Sequence, residues 1–224
     1  MDDKKTHAIK KILIVDDHPI FRHGLSQLIN QVQDMEVCGE AEDLHGGIRA
    51  VEKLGPDMAI IDITLKKTSG IELIKEIHLR HKRLPMLVIS MHEESLYAER
   101  SLRAGAKGYI MKQETPENII TAIRHILDGG FYASPEITDA FFARVIDGTT
   151  GILNSPVQTL TDRELEIFQM IGHGIKIGII ADRLHLSVKT IGTHRENIKE
   201  KLHIKDASEL MRYAINWLEH NPEA

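Results

Sequence analysis

The sequence predicts a doubly wound α/β domain built on a five-stranded parallel sheet, followed by an all-α domain of four helices. Three observations carry that expectation. Between residues 11 and 129, five short apolar runs alternate with amphipathic stretches. Near residues 130–157 the rhythm breaks into glycines and prolines. From Leu160 onward the pattern is only helical. The predicted limits are an α/β domain over 10–129, a linker with a short helix over 130–157, and a helical domain over 158–220.

The apolar runs are Lys11–Val15, Met35–Cys38, Met58–Ile61, Met86–Ile89 and Gly108–Met111. Each is short and rich in Ile, Val, Leu or Met, as strands covered on both faces require. The stretch after Gly70 shows the helical pattern between them, with Ile71, Leu73, Ile74, Ile77 and Leu79 clustering at helical spacing. Gly129, Gly130, Pro135, Gly148, Gly151 and Pro156 punctuate the linker, which carries a helix candidate over Pro135–Ile146. Thr161-Asp-Arg-Glu164 has the form of a capping box and starts the next helix, which Gly172 and Gly174 end. A short helix is expected over Ile177–Leu184, a third capped by Ser187 and running to Leu202, and a last over Ala207–Leu218. Two helices joined by His185-Leu186-Ser187 fit a helix-turn-helix, whose second helix would enter a DNA groove.

Composition narrows the classes. The chain has 224 residues, 42% of them hydrophobic and 27% charged, which excludes wholesale disorder and collagen-like structure. No apolar run approaches the roughly 18–20 residues of a membrane span. Nor does the N-terminus have the apolar stretch of a signal peptide. The single cysteine, Cys38, excludes an internal disulfide framework and a multi-cysteine zinc site. The expected location is the cytoplasm. The formal net charge is −5, yet Arg183–Lys205 holds six basic residues against Glu196 and Glu200. A local +4 in an acidic chain suits either a solvated helix face or a phosphate backbone.

In an open parallel sheet, function gathers at the carboxyl ends of the strands. The first strand ends in Asp16-Asp17, the third in Asp62, the fourth in Ser90 and the fifth in Lys112. Three carboxylates at one edge repel and call for a cation, and oxygen ligands favour Mg2+ over zinc. A carboxylate beside Mg2+, an ammonium and a hydroxyl is placed to accept a phosphoryl group. Singly, each acid reads as a surface carboxylate or a helix cap; their convergence argues otherwise.

Four segments, Ile14-Val-Asp-Asp-His-Pro19, Pro56-Asp-Met-Ala-Ile-Ile-Asp62, Ile89-Ser90 and Gly105-Ala-Lys-Gly-Tyr-Ile-Met-Lys112, resemble the flavodoxin-like receiver domain of two-component response regulators. Leu160-Thr-Asp-Arg-Glu164, Ser187-Val-Lys-Thr-Ile-Gly-Thr-His194 and Lys201-Leu202 resemble the LuxR-type output domain. The chain therefore resembles a response regulator of the NarL/FixJ class over nearly all its length. That resemblance implies Asp62 as phospho-acceptor, and Asp17, Asp62 and the Thr64 backbone carbonyl as Mg2+ ligands, with Asp16 acting through water. It further implies that Ser90 and Lys112 bind the phosphoryl group and that Tyr109 is the switch aromatic. Its implied partners are a sensor histidine kinase, double-stranded promoter DNA and a second copy of the chain when active, with RNA polymerase as a further partner. It implies a regulator rather than an enzyme. One departure is Lys66-Lys67, standing where the family usually has a proline.

At 100° per residue, Ile191, His194, Ile198 and Leu202 share the face of the recognition helix that must pack inward. His194 is then a packing residue before it is a base reader. Lys189, Thr193, Glu196 and Glu200 face the other way, beside Thr190, Gly192 and Asn197. Lys189 suits a guanine or a phosphate, Thr193 a thymine methyl, and Glu196 either a cytosine amino group or an ion pair with Lys199. Arg195, Lys199 and Lys201 suit phosphates. In the supporting helix, Gly178-Ile179 replaces the family's usual Lys-Glu and, with Ile175 and Ile177, leaves more apolar surface than that helix can bury. On the last helix, Leu210, Met211, Ala214, Ile215 and Leu218 are candidates for a dimer contact.

Two rival classes are an aspartyl-phosphate phosphatase and an interaction protein that takes no phosphate. The first commonly needs a second aspartate where this chain has Thr64. The second is disfavoured by the complete set Asp16, Asp17, Asp62, Ser90 and Lys112.

Overall fold

The structure is a computed structural model that describes residues 8–66, 68–91, 94–135, 137–139 and 156–220. It divides into two compact units, 1–134 and 135–224.

In the first unit, β1 (Lys10–Val15), α1 (Pro19–Asn30), β2 (Met35–Ala41), α2 (Leu44–Leu54) and β3 (Met58–Ile61) come first. A two-residue hairpin of β4 (Thr64–Leu65) and β5 (Thr68–Ser69) leads into α3 (Gly70–Arg80). Then follow β6 (Met86–Ser90), α4 (Glu94–Ala104), β7 (Gly108–Met111) and α5 (Pro116–Leu127). The main sheet is parallel throughout, in the order β2-β1-β3-β6-β7. Chain order reverses beside β1, so a crevice opens between the ends of β1 and β3.

The continuous hydrophobicity of the strands has a direct cause. Ile12, Ile14, Met58, Ile60, Leu87, Ile89 and Ile110 pack beneath α1 and α5 through Leu25, Ile29, Ile119, Ile123 and Ile126. Their neighbours Leu13, Val15, Ala59, Ile61, Met86 and Val88 are just as buried. Alternate residues of a strand point to opposite faces, and α2, α3 and α4, packed side by side, account for the second face. At the sheet edge, β2 is only partly buried, and it runs three residues beyond the predicted Cys38. Leu79 corrects the expected face of α3: it is 69% exposed, because it lies off the stripe of Ile71, Leu73, Ile74 and Ile77.

Sequence reading did not anticipate the hairpin at residues 64–69. Thr64 pairs with Ser69 and Leu65 with Thr68 in an antiparallel ladder. Leu65 is buried and anchors it. Ser69 then caps α3, its hydroxyl accepting from Ile71 N at 3.2 Å.

The second unit contains a 3-10 turn (Pro156–Thr159), then α6 (Asp162–Gly172), α7 (Ile177–Arg183), α8 (Val188–Lys201) and α9 (Ala207–His220). The capping box at Thr161 is formed in both directions, with Thr161 N donating to Glu164 Oε2 at 2.8 Å. Ser187 caps α8 by accepting from Thr190 N at 3.0 Å. The core gathers Leu165, Phe168, Ile180, Ile191, Ile198, Leu210 and Ala214, with Phe168 against Trp217 at 5.6 Å between ring centroids. Leu210 and Ala214 are thereby removed from the candidate dimer surface; Met211 and Ile215 are exposed. Of the linker helix expected over 135–146, Pro135 and residues 137–139 are helical and the rest lies outside the described residues. No helix among the described residues is long and apolar enough to cross a membrane.

Gly70 shows how tightly the acceptor loop is set. A Cβ there would stand 1.9 Å from the Asp62 carbonyl oxygen and 3.0 Å from Ile63 Cα. Alanine offers about 1 kcal/mol of helix propensity over glycine, but the obstructing atoms are backbone and have little room to yield. Gly70→Ala is expected to destabilise the first unit by about 3 kcal/mol, as overpacking does. A urea transition followed by circular dichroism checks this; an unchanged or raised midpoint would contradict the packing.

Candidate functional site

Asp16 and Asp17 follow β1 and Asp62 follows β3, so neighbouring parallel strands bring three carboxylates to one edge. All three are at least nine-tenths buried. Lys112, directly after β7, reaches across: its Nζ lies 2.8 Å from Asp16 Oδ2 and 2.7 Å from Asp62 Oδ2. The same lysine is tied to β6 by its backbone, Lys112 N donating to Ser90 O at 2.8 Å. Its ammonium also stands 4.6 Å from the Phe21 ring centroid.

Three carboxylates against one ammonium leave an excess of negative charge. Burial, and then repulsion from Asp62, raises the pKa of Asp16, while Lys112 pulls it the other way. His18, which sequence reading did not single out, meets the same charge. Its Nδ1 lies 2.8 Å from Asp17 Oδ1, 3.2 Å from Asp16 Oδ1 and 3.5 Å from Asp62 Oδ2. The hydrogen bond with Asp62 raises its pKa, with Asp17 and Asp16 adding to the effect and burial and Lys112 opposing it. The signal was its position, next after the acid pair. Arg22 was missed as well: it donates to the Asp16 carbonyl oxygen and, through Nε, to Glu40 Oε2 at 3.0 Å, which ties α1 to the ends of β1 and β2.

One ligand atom from each of Asp16, Asp17, His18 and Asp62 can be chosen so that all lie within 4.8 Å of one another. An octahedral Mg2+ with oxygens at about 2.1 Å sets its ligands about 3–4 Å apart. Donor chemistry and spacing therefore fit a divalent cation. Thr64 stands two residues past Asp62, half-buried in β4, and Ser90 ends β6 fully buried. Tyr109, in β7, is 1% exposed.

On α8 the structure separates residues that sequence grouped together. Lys189, Thr193, Glu196 and Asn197 are exposed, and Gly192 faces open space. The Thr190 hydroxyl lies 2.8 Å from Ser187 Oγ and belongs to the cap. Lys199 pairs with Glu196 at 2.8 Å, the alternative that the sequence left open. Lys201, also expected to meet phosphate, has its Nζ 2.6 Å from Glu164 Oε2 and its side chain 34% exposed. Arg163, the residue before Glu164, is buried, with NH1 2.6 Å from Glu166 Oε2 and NH2 donating to Leu184 O at 2.8 Å. Adjacent residues on the first turn of α6 thus grip both helices of the helix-turn-helix. Beyond α8, Ile179 is 46% exposed and a Cβ on Gly178 would meet nothing.

An open α/β domain with an acidic crevice, joined to a helix-turn-helix domain, defines a two-part regulator. Comparison with known proteins specifies the kind. Residues 12–124 match the response regulator receiver domain, and residues 158–214 match the bacterial regulatory proteins of the luxR family. The oxygen regulatory protein NreC of Staphylococcus carnosus is 34% identical, with 92% of this chain and 96% of that protein covered. A LuxR-family two-component response regulator from Aurantimonas sp. SI85-9A1 is 32% identical with a TM-score of 0.57, covering 62% of this chain and 99% of that one. RcsB of Salmonella enterica serovar Typhimurium, solved bound to promoter rprA in the presence of phosphomimetic BeF3-, is 25% identical with a TM-score of 0.57 over 92% of this chain and 98% of that one. The chain belongs to the NarL/FixJ family of two-component response regulators, with a receiver domain and a LuxR-type DNA-binding domain. That family regulates transcription.

The half-buried His194 carries a pH dependence. Burial lowers its pKa from the ordinary 6.5, with Arg163 and Lys201 acting in the same direction and Glu164 against. The folded domain accepts the neutral ring, so the unfolded chain takes up the proton first as pH falls. The stability this supplies is complete above about pH 6.5 and is lost as pH falls through the lower folded value. The thermal midpoint of the helical domain, read by Trp217 fluorescence, should drop between pH 7 and 5. A His194→Gln variant should lose part of that slope; an identical slope would contradict the assignment.

Proposed function

We propose that a sensor histidine kinase phosphorylates this regulator on Asp62 and that the phosphorylated chain binds promoter DNA as a dimer to regulate transcription. The observation that carries the reading is Lys112 Nζ, lodged between Asp16 and Asp62 at 2.8 and 2.7 Å. Such an ammonium holds the acceptor carboxylate in place and pairs with phosphoryl oxygens once they arrive. Asp17, Asp62 and the Thr64 carbonyl would hold Mg2+, with Asp16 acting through water. The ion would supply charge neutralisation on the transferring oxygens. An Asp62 oxygen attacks phosphorus as the bond to the donor imidazole breaks. The Ser90 hydroxyl then donates to a phosphoryl oxygen, and Tyr109 acts as the buried aromatic that responds.

For DNA, the reading assigns base contacts to the exposed Lys189, Thr193 and Glu196, with Gly192, Thr190 and Asn197 beside them, and phosphate contacts to Lys199 and Lys201. RcsB bound to promoter DNA with BeF3- supports both halves by likeness. Met211 and Ile215, exposed on α9, are the side chains on that helix best placed for a second copy. RNA polymerase is a further partner of the promoter-bound form.

Asp62→Asn should abolish Mg2+-dependent labelling by acetyl phosphate, because the amide is not a nucleophile for phosphorus. Stoichiometric labelling of that variant would overturn the acceptor assignment. Lys112→Ala should still be labelled yet gain no DNA affinity on phosphorylation; a wild-type gain would remove Lys112 from the signalling role.

Thr193→Ala or Lys189→Ala should weaken specific binding by about 1–3 kcal/mol. Lys199→Ala should weaken all sequences alike and flatten the salt dependence. Lys201→Ala should do the same and also lower the thermal midpoint of the helical domain, since it removes one partner of the buried Glu164. Unchanged discrimination in the Thr193 variant, measured by competition between duplexes, would place the reading face elsewhere on α8.

A further inference from the structure

The ligands assigned above leave one donor at the acceptor site without a part in the chemistry. That donor is the His18 imidazole. Its Nδ1 approaches all three carboxylates, at 2.8, 3.2 and 3.5 Å, and stands 3.4 Å from Lys112 Nζ. The backbone is anchored, with His18 N donating to Asp16 Oδ1 at 2.8 Å and Pro19 opening α1 directly behind it. The ring is not: the side chain is 56% exposed, so it can turn its Nδ1 lone pair toward an ion without disturbing the core.

Three carboxylates with an imidazole are a different donor set from three carboxylates alone. Mg2+ takes oxygen ligands and keeps several waters, and it gains little from a nitrogen. Imidazole suits zinc, copper, nickel and iron, and mixed nitrogen-oxygen sites bind such ions more strongly than the lighter divalent ones. Zinc reaches four-coordination with nitrogen at about 2.0–2.1 Å and carboxylate oxygen at about 2.0–2.2 Å. One ligand atom from each of Asp16, Asp17, His18 and Asp62 already lies within 4.8 Å of the others, close enough to gather on one ion.

We propose that His18 Nδ1 is a side-chain metal ligand, which makes the acceptor site a mixed nitrogen-oxygen site that binds Zn2+ more tightly than Mg2+. The inference rests on the reading of Asp17 and Asp62 as metal ligands with Asp16 beside them. It goes beyond that reading by naming a fourth donor and a second class of ion. Zn2+ held by all four side chains engages the Asp62 carboxylate and displaces Lys112 from it. Zinc is then an antagonist of the Mg2+ form, competing for the same aspartates.

The chain has 13 histidines, so zinc binding elsewhere is a background that the experiment must exclude. The measurement is calorimetric titration of the full-length protein with Zn2+ alone, with Mg2+ alone, and with Zn2+ in the presence of saturating Mg2+. Wild type, His18→Ala and Asp17→Asn are compared, and Co2+ absorption spectra report the nitrogen ligand directly. In wild type, a Zn2+ site that competes with Mg2+ is expected. His18→Ala should lose at least about 10–100-fold in affinity at that site, since losing only an outer-shell partner of a metal costs that much, with Mg2+ affinity held and the Co2+ spectrum changed. Equal Zn2+ affinity in wild type and His18→Ala, or Zn2+ binding that ignores Mg2+, overturns the proposal while leaving the Mg2+ site standing. Unchanged Mg2+ binding in Asp17→Asn overturns the underlying assignment of the aspartates instead.

Discussion

The receiver is organised around the charge imbalance at the carboxyl edge of its sheet. Asp16, Asp17 and Asp62 are buried together, and each carries a desolvation cost that opposite charge, hydrogen bonds or a proton must offset. Lys112 is the covalently attached part of that compensation, at 2.8 and 2.7 Å from two of the three. Much of the surrounding architecture keeps this arrangement in register. Parallel pairing of β1 with β3 sets the acids side by side, and the bond from Lys112 N to Ser90 O fixes where the lysine starts. Gly70 lets α3 press against the Asp62 carbonyl. Because a lysine neutralises only one charge, the site is built to respond to a further cation or to a change in the charge of Asp62.

The helical unit solves an analogous problem with opposite emphasis. Its purpose is to present α8, and the groups that hold α8 are themselves charged and buried. Arg163 reaches the end of α7 through the Leu184 carbonyl, while Glu164 reaches the end of α8 through Lys201. Glu164 serves the Thr161 cap at the same time. Burial acts to raise its pKa, but the Lys201 and Thr161 hydrogen bonds outweigh that and hold it below the usual carboxylate value. Removing one partner from such a group leaves a buried charge without compensation, which costs more than the contact itself contributes. Orientation of the recognition helix and stability of the domain therefore rest on the same few atoms.

Much of this was legible in the sequence because the signals were local and periodic. Five apolar runs with helical patterns between them specify alternating strands and helices, and the parallel sheet follows from their order. The acids, the serine and the lysine could be placed at one edge because each lies at the end of such a run. Thr161-Asp-Arg-Glu164 and Ser187 announced their helices through hydrogen bonds spanning three residues, a range within which sequence spacing and geometry are nearly the same thing.

What only the tertiary structure decided are the contacts between residues far apart in the chain. Nothing local hinted that Lys201, expected to meet phosphate, would also pair with Glu164, 37 residues earlier. Leu79 matched the helical pattern, yet α3 leaves it 69% exposed. Leu210 and Ala214 are apolar candidates for a dimer contact in the sequence, but α6 packs on α9 and both are buried. His18 was only a neighbour of two acids until β3 carried Asp62 to within 3.5 Å of its ring. Periodicity tells which residues seek burial or charge compensation. The partner that meets each need is chosen by packing between elements, and that choice is fixed only when the whole chain has folded.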